Sequence, residues 1–560
     1  MKYLLTLFFA AVLLFAGCSK QEKQEKNQAE DIKMLKEQIA KFIPTEIKYD
    51  ASTLDERQKI VIEKLYRASK IMDEIFLDQV YSKNEEIKKE LVEKAKTDEK
   101  AKLQLELFNI MFGPFNRLEH NAPFIGTEKK PLGANFYPED MTKKEFEQWI
   151  KDHPGDEKAF TSIVTIIRRK NGGLTAIPYS EYYKDKLTEA AKYLREAAEY
   201  ADNPSLKKYL LSRADAFLSN DYYQSDMDWM DLKDNAIEIT IGPYEVYEDA
   251  LFNYKASFES FLTIKDTDAS NKLKVFAGYL KDMEQHLPIP DKYKNTGRGT
   301  ESPIVVVNEV FSAGDTKAGV QTLAFNLPND ERVRKVKGSK KVMLKNLNEA
   351  KFEKLLKPIA EIVLDPEQLK YVTFDGFFNH TLMHEMSHGI GPGYITVNGR
   401  KTEVKKELME TYSTIEECKA DILGMYNNIF MIDKGVYPKS FAKETWVTFL
   451  AGTFRSVRFG INEAHGGGNA IIYNFLLEKG GYEYDEATQK VKVNFDKIYP
   501  ALKELANKVL MIEAKGDYKG AKDLIAKYAV NSPSMEILRE KLSGLPVDIK
   551  PVFEIEKMYK

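Results

Sequence analysis

The chain has 560 residues, too many for one ordinary domain, so about three or four units or two large lobes are expected. Hydrophobic residues at 43% and charged residues at 30% exclude a disordered or collagen-like chain. A net charge of −3 leaves no basic excess for nucleic acid, and two cysteines, Cys18 and Cys418, exclude a disulfide framework.

In chain order, Met1-Lys2 is a short basic start, followed by the apolar run Tyr3 to Phe15 and by Ala16-Gly17-Cys18-Ser19. This describes a secretory signal over residues 1–17, too short for a spanning helix. Small residues directly before a cysteine resemble the lipobox of bacterial lipoproteins, with Phe15 where Leu is usual. The resemblance implies lipidation of Cys18 and a place in the bacterial cell envelope, on the periplasmic or outer-membrane face. Residues 18–30 lack an apolar face and read as a solvated tether.

From Asp31 to about Leu262, apolar residues recur at helical spacing, as at Leu187, Ala190, Tyr193 and Leu194. The Asn171-Gly-Gly173 and Asn203-Pro204 steps break that series. Ile304-Val-Val-Val307 and Gln321-Thr-Leu-Ala-Phe325 read as strands. Helical spacing returns after Glu349, and Pro358 to Lys527 is helix-rich. Prolines make Leu545 to Pro551 extended. The predicted class is a mostly helical α+β protein.

Three of the seven histidines, His380, His384 and His388, fall within nine residues. His384-Glu-Met-Ser-His388 is an HExxH motif, preceded by Phe374, Phe377, Phe378 and Leu382 at helical spacing and ended by Gly389, Gly391 and Gly393. On that helix the two histidines lie about 40° apart around the axis, placed to hold zinc, with Glu385 one step round as a base. His380 lies a turn back on the same face, but Thr381 after it is a poor base, so packing or support is its expected role. Val404, Leu408, Ile415, Ile422 and Ile429 mark a second, long amphipathic helix. Glu417 on it can complete the metal set, and Asp421 can accept from the second nitrogen of a ligating imidazole. Glu416 points about 100° away from Glu417 and is the weaker ligand.

At Glu416-Glu-Cys-Lys-Ala-Asp421 the chain resembles the dipeptidyl peptidase III family of zinc metallopeptidases, with Lys for Arg and Asp for Glu in the EECRAE-type motif. Phe325 to Arg332 is similar to the family's Asn-x-Pro-Asn segment, Ile241 to Tyr247 to its Glu-x-Tyr segment, and Glu463-Ala-His-Gly466 to its histidine segment. The likeness runs from about Ile241 to Ala470. It implies one zinc per chain on His384, His388 and Glu417, Glu385 as general base, and His465 and Tyr247 at the oxyanion. It further implies Glu245 on the substrate amine, and Asn326 and Asn329 on the peptide backbone. Two departures stand out: HExxH in place of HExxGH, and Asn469 where relatives carry an arginine, which leaves the far end of the substrate without a known holder.

The resemblance implies two lobes around a wide cleft: a helical, zinc-bearing upper lobe and a mixed lower lobe with a small β-barrel core. The expected division is 31–262 in the lower lobe, 263–302 in the upper, 303–350 as lower-lobe strands, 351–527 as the catalytic lobe, and 528–560 returning to the lower lobe. The implied activity is release of N-terminal dipeptides from short peptides by a monomer without a nucleic-acid partner. The alternatives are another aminopeptidase or oligopeptidase register, and an envelope lipoprotein that binds peptides without cutting them. For the last, Glu385 beside the metal has no use.

Overall fold

The computed structural model describes residues 28–295 and 303–559. Cys18, the signal and most of the tether lie outside the described residues; the tether's last residues, 28–30, begin a helix that runs to residue 40. Strand β1 (Phe42–Ile47) pairs in parallel with β7 (Asp548–Phe553), so the two ends of the chain meet. The extended segment expected from the prolines is this C-terminal strand.

The N-terminal region is largely helical, as the spacing predicts. Helix α1 (Glu56–Val80) opens on a capping box in which Asp55 and Gln58 satisfy each other's backbone N–H. Helix α2 (Lys184–Tyr200) packs along it through Leu187, Ala190, Ala191 and Leu194. The Asn203-Pro204 step is a helix start, with Asn203 capping Pro204–Ser219. Asn171-Gly172 is instead a two-residue hairpin turn between paired strands Thr165–Lys170 and Gly173–Pro178, because both residues take positive φ, 51° and 79°.

Helical spacing also misses a pair of long strands, β2 (Ile237–Glu245) and β3 (Ser257–Lys265). Buried on both faces, they lack the polar alternation that marks a half-exposed strand. With β4 (Ile304–Gly314), β5 (Ala324–Leu327) and β6 (Lys340–Leu344) they form a mixed sheet in the order β2-β3-β4-β6-β5. It is open, not the small closed barrel expected: four-residue β5 pairs only with β6. The two edges approach at one point, where Asn329 Nδ2 donates to Tyr244 O at 3.1 Å.

The sheet stands between two large apolar clusters, and period-two geometry divides its side chains between them. Val305, Val307, Val342 and Leu344 join the N-terminal helices, while Ile304, Val306 and Met343 face the C-terminal helical mass. This explains the unbroken apolar run at 304–307. Leu273, Phe276 and Met283, from the 263–302 segment, belong to the C-terminal cluster, and Ile549 and Phe553 to the N-terminal one.

In the C-terminal mass, α3 (Phe374–Ser387), α4 (Tyr412–Asp433), α5 (Phe441–Ser456), α6 (Ala464–Glu478) and α7 (Ile498–Lys515) pack together. The helix expected from Val404 through Ile429 is two: Val404–Leu408 ends at Met409, whose φ is 49°, and α4 begins at Tyr412. From Cys418 to Ile432 α4 is buried on every side rather than amphipathic.

Candidate metal centre

The His384-to-His388 motif lies in the last turn of α3. Thr373 caps the helix through Gly376 N, and Phe377, Phe378, Leu382, Met383 and Met386 anchor it. His388 is the C-cap, and Gly391 at φ 89° turns the chain away. Glycines set the spacing of its neighbours. A Cβ on Gly424 of α4 would stand 3.2 Å from His384 N, and one on Gly468 of α6 would stand 2.9 Å from Cys418 N. Gly466 to Gly468 lie in the first turn of α6; Gly467 and Gly468 let it close on α4, and Gly466 lets it pass close to Gly460 O.

That approach gathers four side chains. Glu417 Oε2 lies 3.4 Å from His384 Nε2, 3.9 Å from His388 Nε2 and 3.2 Å from His465 Nε2. The two motif nitrogens are 3.2 Å apart. Among the described residues, ligand atoms of His384, Glu417 and His465 all lie within 4.8 Å of one another. Glu417 Oε2 is buried and accepts no hydrogen bond. An orphaned carboxylate oxygen ringed by imidazole nitrogens fits a divalent cation.

The outer nitrogens are held by carboxylates. His384 Nδ1 is 2.7 Å from Asp421 Oδ1, and His388 Nδ1 is 2.8 Å from Glu416 Oε1. Glu416, off the ligand face as expected, thus orients the second motif histidine. Burial works against every charge here, but neighbours override it. Lys419 and His388 bring the Glu416 carboxyl down to about 2, and His384 holds Asp421 far below the usual carboxylate range. Glu417 is lowered likewise by His384 and His465, against burial. Asp421 and Glu417 in turn hold His384 well above the ordinary histidine value. The carboxylates that favour a proton there equally favour a metal ion.

His380 is a packing residue, as expected. Its ring lies 4.5 Å from that of Phe449, its Nε2 is 3.3 Å from Asp421 O, and burial lowers it to about 4. Asn469 points inward, donating to Asp421 Oδ2 at 2.7 Å and to His465 O at 3.0 Å. It therefore braces the centre, and although it lines the cavity both its amide N–H groups are committed, which leaves no donor for a ligand's carboxylate.

A cavity of about 720 Å³ opens on the centre, with Glu385, His384 and His465 on one wall and Thr322 to Ala324 on another. Glu385 is half-buried and makes no hydrogen bond among the described residues. His465, at the start of α6, has 56% of its side chain exposed. Glu245 sits past a bulge at Pro243, where β2 bends, and Asn329 Nδ2 reaches its Oε1 at 3.5 Å. Burial raises the Glu245 carboxyl, opposed by Asn329 and Arg334. Asn326 on β5 keeps a buried Oδ1 without a partner. Tyr247 is 79% exposed and makes no hydrogen bond to the metal group. Two arginines on the cavity wall, Arg117 and Arg455, escape sequence reading, because an isolated arginine carries no spacing signal.

The sequence profile of Peptidase family M49 matches residues 142–400. The solved structure of DPP III from Caldithrix abyssi superposes with a TM-score of 0.92 at 69% identity, covering 93% of this chain and 99% of that one. Dipeptidyl-peptidase III from Corallococcus sp. strain EGB gives 0.84 at 43% identity, over 94% and 98%. Nudix hydrolase 3 of Arabidopsis thaliana is 40% identical over 96% of this chain and 76% of its own length. The matched profile, the fold shared with the two solved structures and the ligand cluster agree, and the chain belongs to peptidase family M49, the dipeptidyl peptidase III family of metallopeptidases.

Proposed function

We propose that the protein is a zinc-dependent exopeptidase that releases dipeptides from the N-termini of short peptides. The observation that carries this reading is the unpartnered Glu417 Oε2 among histidine nitrogens, beside a cavity on which Glu385 stands free. His384, His388 and Glu417 would hold the ion: both histidines have a carboxylate behind them, whereas exposed His465 has none. Zinc at that position would polarise the scissile carbonyl and acidify a water molecule.

Glu385 takes the proton of the attacking water and later delivers it to the leaving amine. His465, exposed on the cavity, donates to the oxyanion as its charge develops, and Tyr247, exposed and outside the cavity lining, joins it when bound peptide brings it in. Glu245, with Asn329 beside it, receives the free amine. Asn326 holds the peptide backbone from edge strand β5, which offers unpaired main chain alongside. Amine capture at a fixed distance from the metal makes the enzyme an exopeptidase.

The same reading divides the molecule into two lobes, supported by the paired apolar clusters, but Met535, Leu538 and Leu542 join the C-terminal cluster, so the chain's return to the lower lobe is put nearer β7 than the expected residue 528. It places the protein as a monomer on the periplasmic or outer-membrane face, held by lipid on Cys18. The support is the motif before Cys18, together with a buried Cys418 that needs no partner. The intact mass of the mature N-terminus tests the anchor; an unmodified Cys18 would remove it.

Metal analysis tests the centre. The purified protein should hold one zinc per chain and lose peptide hydrolysis on chelation, with recovery when zinc is restored. Glu417→Ala should lower zinc content at least about ten-fold. Unchanged stoichiometry in that variant excludes Glu417 as a ligand.

A further inference from the structure

Asn469 is turned onto Asp421, so a bound peptide's far end needs another holder. Arg455, at the end of α5, lines the same cavity as His384 and Glu385. Among the described residues it makes no ion pair, and its buried Nε has no hydrogen-bond partner. Two acidic groups face it, and among the described residues neither hydrogen-bonds it, although Asp548 keeps a buried, unpartnered Oδ1. Asp548 accepts from Lys351 Nζ at 2.9 Å and from Gln321 N at 2.7 Å. Asp421 is held by His384 and Asn469, both at 2.7 Å. The nearby Arg458 adds a second cation without an ion pair among the described residues, whereas Lys351 is matched by Asp548. On the same cavity, Arg117 donates through Nη1 to Glu248 at 2.9 Å, while its Nη2 is buried and unpartnered.

Two incompletely partnered guanidinium groups lining one cavity favour an anion there. Its position along the wall identifies which anion. Asn329 meets Glu245 beyond one end of β5, and Gln321, tied to Asp548, precedes the other. A peptide lying along β5 with its amine at Glu245 therefore directs its carboxyl end toward Gln321 and Arg455.

We infer that Arg455, with Arg117 on the same cavity, binds the C-terminal carboxylate of a short peptide, so that the enzyme selects oligopeptides with a free carboxyl end. This rests on the peptidase reading above. The test compares tetra-alanine with its C-terminal amide on the zinc-loaded enzyme and on Arg455→Gln and Arg455→Lys. The wild type should show a KM for the free acid about ten-fold or more below that for the amide. Arg455→Gln should erase the difference through KM with little change in kcat, and Arg455→Lys should restore part of it. A wild type indifferent to the amide, or a preference that survives in folded Arg455→Gln, overturns the inference. If neither peptide is cut, the peptidase reading fails. Calorimetric binding of the two peptides to Glu385→Gln protein then still reads the subsite, with equal affinities counting against it.

Discussion

Glu385 is the residue on which the proposed chemistry turns, and its surroundings suit a base. It stands on the cavity wall, half-buried and unpartnered, one position after a histidine whose outer nitrogen Asp421 fixes. On the proposed role, Glu385→Gln should keep zinc and the fold while lowering kcat by about 10²–10⁴-fold. Peptide cleavage at the normal rate by the zinc-loaded variant would remove Glu385 from the mechanism. At this scale much was legible in the sequence, because HExxH and the Glu-Glu-x-x-x-Asp spacing on α4 encode which side chains share a helical face. The bracing by Asn469 and the two arginines lining the cavity were not. They depend on contacts between segments far apart in the chain, and local spacing is silent on those. Exposed Tyr247 shows the same limit from the other side, since the resemblance names it and the geometry leaves it apart.

Among the elements, close helix approach controls the centre. Gly468 leaves α6 no side chain where it meets α4 at Cys418, so Gly468→Ala must push the two helices apart or strain them. The expected cost is about 1–3 kcal/mol of stability, with weaker zinc retention in chelator competition. Zinc affinity at the wild-type level would mean that α4 and α6 can separate without disturbing the ligands. The sheet carries a pH signature. Glu309 on β4 is 2% exposed, and burial pushes its carboxyl up to about 8 against the pull of Lys317 and Lys351. Its value in the unfolded chain is near 4.3. Between about pH 4.3 and 8 the unfolded state therefore binds fewer protons, and this residue makes stability fall as pH rises. Glu309→Gln should flatten that part of the melting-temperature profile and raise stability most at and above about pH 8. An unchanged slope would show that Glu309 does not titrate there. Helical periodicity identified α3, but it missed β2 and β3 and merged two helices around Met409. Strands buried on both faces and a single positive φ leave no periodic mark.

For the whole molecule, the chain's two ends meet as β1 and β7, and Asp548 joins that pair to Gln321 on the cavity wall and to Lys351. Segments from the start, middle and end of the chain thus share one framework around the site, which explains why domain boundaries are hard to read in sequence order. The closed barrel was implied by the resemblance alone; the strand partners themselves give an open sheet, and local composition does not specify them. The central claim concerns where a peptide is cut, and one measurement addresses it most directly: mass spectrometry of the products formed from a defined octapeptide by the zinc-loaded protein. The account predicts stepwise release of residues in pairs from the N-terminus, absent with Glu385→Gln. Release of single residues, internal cuts, or an intact peptide would contradict it.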